Sequence, residues 1–147
     1  MNGYLLDTNC ISEAVRPNPE PRVMNWLGAA DEALLFLSVL TLGEIRKGVA
    51  SLAQSRRRTL LESWLNKELR ARFSGRILMV DNAIADRWGL LAATAKKTGR
   101  SLSTIDGLLA ATAIQHNLTI VSRNENDFDR MQVQVLNPWK TENRGQP

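Results

Sequence analysis

Four polar side chains stand where apolar runs of this chain give way: Asp7 in LLDTN, Glu44 in LTLGEIRKG, Asp106 in STIDGLL and Asn124 in TIVSRNENDF. All are oxygen donors, and carboxylate and amide oxygens select a hard cation such as Mg²⁺ or Mn²⁺. Two carboxylates about 4 Å apart repel by roughly 4 kcal/mol at an effective dielectric near 20, so three gathered in one place require a cation or raised proton affinities. Around such an ion, a water made more acidic can attack a phosphodiester while the ion stabilises the charge developing on phosphorus.

Each residue also has a purely structural reading. Asp7 can cap a following helix together with Asn9, and Glu44 can face solvent on a helix, off the stripe of Leu42, Ile45 and Val49. Asp106, three residues after Ser103, is placed as in a capping box, and Asn124 to Asp127 can form a turn that starts a short helix. Thr41 and Gly48 are small neighbours that leave room beside Glu44. Gly107, which costs about 1 kcal/mol of helix propensity against alanine, allows another group to approach Asp106.

The elements that must position these residues alternate regularly. Strands are expected at Gly3 to Leu6, Leu34 to Val39, Ile77 to Val80 and Leu118 to Ser122, with Val133 to Leu136 as a weaker fifth. The first four are nearly continuous in apolar residues, as in strands covered on both faces. Helices are expected after Asn9, from Pro21, over Thr41 to Leu52, Ser55 to Phe73 and Asn82 to Thr98 with Gly99 closing it, and over Ser103 to Asn117. This order predicts an α/β fold, a three-layer α/β/α sandwich with a mostly parallel central sheet and right-handed crossovers. In such sheets ligands bind beyond the carboxyl ends of the strands, which is where Asp7 and the Asn124 cluster fall.

The 147 residues, with 44% hydrophobic and 23% charged, suit one domain over residues 1–140 and a frayed tail over 141–147. No apolar stretch approaches the about 20 residues of a membrane span, and no signal segment opens the chain, so a cytoplasmic protein without membrane contact is expected. Cys10 is the only cysteine, which excludes a disulfide framework or a cysteine-based zinc cluster and suits a small buried filler. The net charge of +4, rich in arginine, favours a polyanionic partner, although a solvated helix face accounts for the Arg56 to Arg58 run as well.

With LLDTN followed by Ile11, Ser12 and Glu13, the glutamate of SVLTLGEIRKGV, the run STIDGLLAATAIQHNLTIVSRNENDF and the closing NPW of 137–139, the chain resembles the PIN domain of VapC-type toxins, in particular the FitB-like branch. The resemblance spans Gly3 to about Lys140. It implies a Mg²⁺- or Mn²⁺-dependent endoribonuclease that is toxic when free, is neutralised by a VapB-type antitoxin docked over its active site, and pairs as a homodimer. It places the motif acids on Asp7, Glu44 and Asp106, which hold the metal, and the fourth catalytic position on Asn124, where branch members often carry aspartate. An amide there lowers the negative charge of the site and bears on whether a second ion binds, with Asp127 nearby. Thr8 and Asn9 support the site, and Arg46, Lys47 and Arg56 to Arg58 are candidates for RNA or antitoxin contacts. His116, the only histidine, is placed near a helix C-terminus and is read as structural.

Two other classes remain open on the residues alone. A DNA-directed nuclease would use the same carboxylates, since only contacts to the 2′-hydroxyl separate the two substrates. A non-catalytic α/β nucleic-acid-binding module would use the basic surface without the metal.

Overall fold

The computed structural model describes residues 2–140; the expected tail over 141–147 lies outside them. Five short strands, β1 (Tyr4–Leu6), β2 (Leu35–Ser38), β3 (Ile77–Leu78), β4 (Thr119–Val121) and β5 (Val135–Leu136), form one sheet in the order β3-β2-β1-β4-β5. Every neighbouring pair is parallel. The chain builds outward from β1 to β2 and β3, then crosses back to lay β4 and β5 on the other side. The point where the order reverses is therefore the β1–β4 seam, with Leu6 paired to Val121 as its last rung.

Period-two alternation along the strands feeds two cores, one on each face. Leu6, Leu35, Leu37 and Val121 point to one side. There they meet α1 (Thr8–Glu13), α2 (Pro21–Ala29), α3 (Val39–Ala50) and a long helix formed by α4 (Arg56–Ser63), a π-helical stretch Trp64–Leu69 and α5 (Arg70–Arg72). Leu5, Phe36 and Ile120 point to the other side, against α6 (Asn82–Lys97), α7 (Thr104–His116) and α8 (Glu125–Asp129). Helices thus cover both faces, as expected of an α/β/α sandwich. Phe73 and Phe128 are the largest fully buried side chains, one in each core.

Boundaries differ from the sequence expectation where a cap decides them. Helix α3 starts at Val39 rather than Thr41, because the Ser38 hydroxyl accepts from Leu40 N at 3.0 Å and ends the strand directly in a helix. A short 3₁₀ turn, Glu32–Leu34, precedes β2, capped by Asp31. Gly99, at φ 72°, closes α6 with Arg100 N bonded back to Ala95 O at 2.9 Å, and Asn117, at φ 56°, closes α7.

Much of the arginine serves the fold. Arg72 and Arg76 sit over the Phe73 ring at 4.9 and 4.8 Å and both pair with Glu32. Arg76 also donates to the carbonyls of Glu32, Leu35 and Arg72 at 2.7, 2.6 and 2.5 Å. Arg57 reaches Val15 O, Arg58 pairs with Glu62 and donates to Leu52 O, and Arg46 bonds Asn66 Oδ1. Cys10 is fully buried and its thiol is pushed up to about 12, chiefly by burial, as suits an inert filler. No helix among the described residues is long and apolar enough to cross a membrane.

Candidate active site

Asp7 follows the last residue of β1, and its backbone N–H extends the ladder to Val121 O at 2.9 Å. The carboxylate turns back to cap α1, with Oδ1 accepting from Thr8 N at 2.7 Å. Its Oδ2 accepts from the Ser122 hydroxyl, also at 2.7 Å. Because Leu6 pairs with Val121, the next residue of each strand must emerge side by side, and those residues are Asp7 and Ser122. The side chain is buried at 5% exposure, and burial raises the carboxyl above its ordinary value. The Ser122 and Thr8 donors oppose that rise, and the charge of Glu44 adds to it.

Glu44 lies on the second turn of α3, and its Oε1 accepts from the Thr8 hydroxyl at 2.5 Å. Thr8 therefore links the two acids, its amide on Asp7 and its hydroxyl on Glu44. Thr41, one turn earlier, is fully buried, and its hydroxyl has no hydrogen-bond partner.

Asp106 stands in the first turn of α7, whose N-cap Ser103 accepts from Asp106 N at 3.4 Å. Its carboxyl is raised to about 6, first by burial and then by the charges of Asp7, Asp127 and Glu44. The three sequence-selected acids thus lie in one another's fields, with Asp127 as a fourth. Gly107 has a more definite role than room for a ligand. A Cβ there would stand 2.8 Å from Trp88 Cδ1, so the indole of α6 packs directly on the backbone of α7 beside Asp106.

Asn124 is the N-cap of α8, yet its side chain makes no capping bond. Its backbone N–H donates to Ser122 Oγ at 2.9 Å. Asn9 stands 3.4 Å from the same hydroxyl through Nδ2 and accepts from Arg123 N at 3.4 Å through Oδ1. The NPW segment braces this corner from outside. Arg123 lies 5.2 Å over the Trp139 ring, and Asn137 and Lys140 both bond Glu125.

Ser122 is the residue that sequence reasoning missed. It is fully buried and gathers Asp7, Asn9 and Asn124 on one hydroxyl. The available signal was a small polar residue ending the fourth apolar run, one step after the rung that pairs with β1. His116, by contrast, is exposed at the far end of α7 from Asp106 and takes no part in the site.

Among the described residues no three carboxylate, imidazole or thiol groups stand close enough to enclose an ion as they are. The donor chemistry still fits a hard divalent ion. Mg²⁺ keeps several waters and takes only one or two carboxylates, and each Asp7 oxygen retains acceptor capacity beyond the single bond it receives.

Known proteins resemble the chain over nearly its whole length. The family model described as the PIN domain matches residues 4–134. Toxin FitB of Neisseria gonorrhoeae is 39% identical over 135 residues, covering 92% of this chain and 97% of that protein. The VapC ribonuclease Y4jK of Sinorhizobium fredii is 33% identical over 136 residues, covering 92% and 97% respectively. In the solved structure of FitAB bound to an IR36 DNA fragment, one chain superposes with a TM-score of 0.90 at 37% identity, covering 97% of this chain and 99% of its own. The chain belongs to the PIN-domain family, in its branch of VapC-type toxins.

Proposed function

We propose that the protein is the toxin of a toxin–antitoxin pair, an endoribonuclease that hydrolyses RNA phosphodiester bonds with a divalent ion, Mg²⁺ or Mn²⁺, held by Asp7, Asp106 and Glu44. The observation that carries this reading is that Asp7 at the end of β1, Glu44 of α3 and Asp106 of α7 lie within one another's electrostatic reach at the carboxyl edge of the sheet, beside the seam where its strand order reverses. When bound, the ion supplies charge neutralisation at the scissile phosphate and acidifies the attacking water.

The protein's own part is positioning. Ser122 and Thr8 fix both oxygens of Asp7, and Thr8 fixes Glu44 through its hydroxyl. Asp106 is bonded to neither and faces the combined negative field, so it is the acid with most to gain from a cation. Asn124 contributes an uncapped amide at the rim, where it can donate to a phosphate oxygen without adding negative charge.

The partner class follows from kinship. FitAB is solved as a complex, and a small antitoxin that covers the crevice of this chain is the corresponding partner. The proposal includes a homodimer, for which the exposed Met24, Leu52, Leu60, Met79 and Leu90 are candidate apolar contacts.

The test is cleavage of single-stranded RNA by the purified protein. Cleavage is expected with Mg²⁺ or Mn²⁺, and none with chelator or in Asp7→Asn and Asp106→Asn. Equal hydrolysis of single-stranded DNA would move the assignment to a general nuclease. Growth arrest by the free protein that persists in Asp7→Asn would refute the toxin role.

A further inference from the structure

A cleft of about 410 Å³ opens beside Asp106, between the C-terminal end of α6, the segment leading into α7, and α8. Its size suits a small-molecule-sized group such as one nucleotide. Asp106 and Asp127 form part of its wall, Leu102 and Met131 give it apolar surface, and Arg100 and Arg130 bring two guanidiniums. Among the described residues neither arginine is in an ion pair with a carboxylate. This sets them apart from Arg58, Arg72 and Arg76, which are spent on the fold.

Two backbone features aim side chains at this cleft. The left-handed turn at Gly99 ends α6 and carries Arg100 onto the wall. Gln132 also lies on the wall at φ 61°, a conformation that a non-glycine residue holds only against a steric cost.

Resting on the nuclease reading of the adjoining carboxylates, we infer that this cleft seats the nucleotide of a single-stranded RNA next to the scissile phosphate, with Arg100 and Arg130 on flanking phosphates and Gln132 on the base edge. The cleft and the carboxylate crevice share Asp106, so an RNA whose phosphate lies at the acids has a neighbouring nucleotide within reach of the cleft. An apolar floor under a rim of guanidiniums and one amide matches that ligand: the base has flat faces to bury, the backbone has charge, and the base edge has donors and acceptors. Gln132, carrying both a donor and an acceptor, is then the residue that sets base preference at this position.

The experiment uses the full-length Asp7→Asn protein, chosen so that bound RNA is not cut, and a fluorescein-labelled mixed-sequence heptamer RNA read by anisotropy. Adding Arg100→Gln and Arg130→Gln is expected to weaken binding about tenfold, the loss of charge-assisted bonds to phosphate. The slope of log affinity against log salt should fall by about 1.4, the counterion release of two phosphates on a single strand. In a cleavage-competent background, Gln132→Ala is expected to erase base preference at one position relative to the cut, read by sequencing the ends from a random RNA pool. Unchanged affinity and salt slope overturn the inference, as does loss of antitoxin affinity with RNA affinity intact. An unchanged cleavage pattern overturns the role of Gln132. If the unsubstituted protein binds RNA through the cleft and never cuts it, the nuclease reading fails while the cleft remains an RNA-binding site.

Discussion

The Ser122 hydroxyl donates to Asp7 Oδ2 at 2.7 Å, tying the first residue after β1 to the first residue after β4 across the sheet's switch point. Both partners are buried, so the bond is exposed to little competition from water. It holds an anion in place while its oxygens keep capacity for a cation.

Ser122→Ala is therefore expected to destabilise the protein by about 1–2 kcal/mol, the penalty of a buried acceptor that loses its donor. The sign of its pH dependence follows from Asp7. Burial raises that carboxyl in the folded state, and the Ser122 bond limits the rise. A folded value above the unfolded one means that the native state loses stability as pH climbs through the interval between them. Removing Ser122 widens the interval, so urea unfolding should show a larger deficit at pH 8 than at pH 4.

Asp106→Asn should show the opposite difference. The native carboxyl titrates at about 6 against an ordinary value of 3.8, so the parent loses stability between those two pH values and the amide variant does not. The stability of the variant relative to the parent is expected to rise across that window and level off above it. With the site half open to solvent, the gain is on the order of 1 kcal/mol. Thermal melts at a series of pH values check it. Added Mn²⁺ should stabilise the parent and leave the variant nearly unmoved.

Gly107→Ala tests the packing beside Asp106. The new methyl would lie 2.8 Å from Trp88 Cδ1 and 3.0 Å from its Nε1, and a ring wedged between two helices has little room to withdraw. Overpacking of this kind costs about 1–3 kcal/mol, measurable as a lower denaturation midpoint.

Arg76→Ala separates structural from ligand-binding arginine. The variant removes the donor to three backbone carbonyls, of which Glu32 O still accepts from Leu35 N and only the bond to Leu35 O is part-buried, and it uncovers the Phe73 ring, while its ion pair with half-exposed Glu32 contributes little. A stability loss of about 1–2 kcal/mol is expected from the lost donor and ring cover, with the salt dependence of RNA binding unchanged.

The fold was legible where apolar runs are continuous and bounded. LLFLS and LTIVS end on serine, and the strands stop there. The long helix after Ser55 was legible as one element from the Leu61, Trp64, Leu65 and Leu69 stripe. Its π-helical middle was not, since one looser turn leaves that stripe in place. In the site, Asp7 was visible because a charge terminates a buried strand, and Asp106 because an acid in a first turn sits beside a glycine. Ser122 escaped notice because its role depends on the register between two strands far apart in sequence, which no local pattern encodes. The arginine content was unspecific for a related reason. Composition counts charges without showing that Arg72 and Arg76 close on Glu32 and Phe73 inside the fold.

The most direct measurement of the central claim is anomalous diffraction from crystals of the protein grown or soaked in Mn²⁺. A manganese peak about 2.0–2.5 Å from carboxylate oxygens of Asp7 and Asp106 is expected, with Glu44 beside it directly or through water. A preparation that cuts RNA in Mn²⁺ yet shows no peak at these residues, or a peak held by other side chains, would contradict the account.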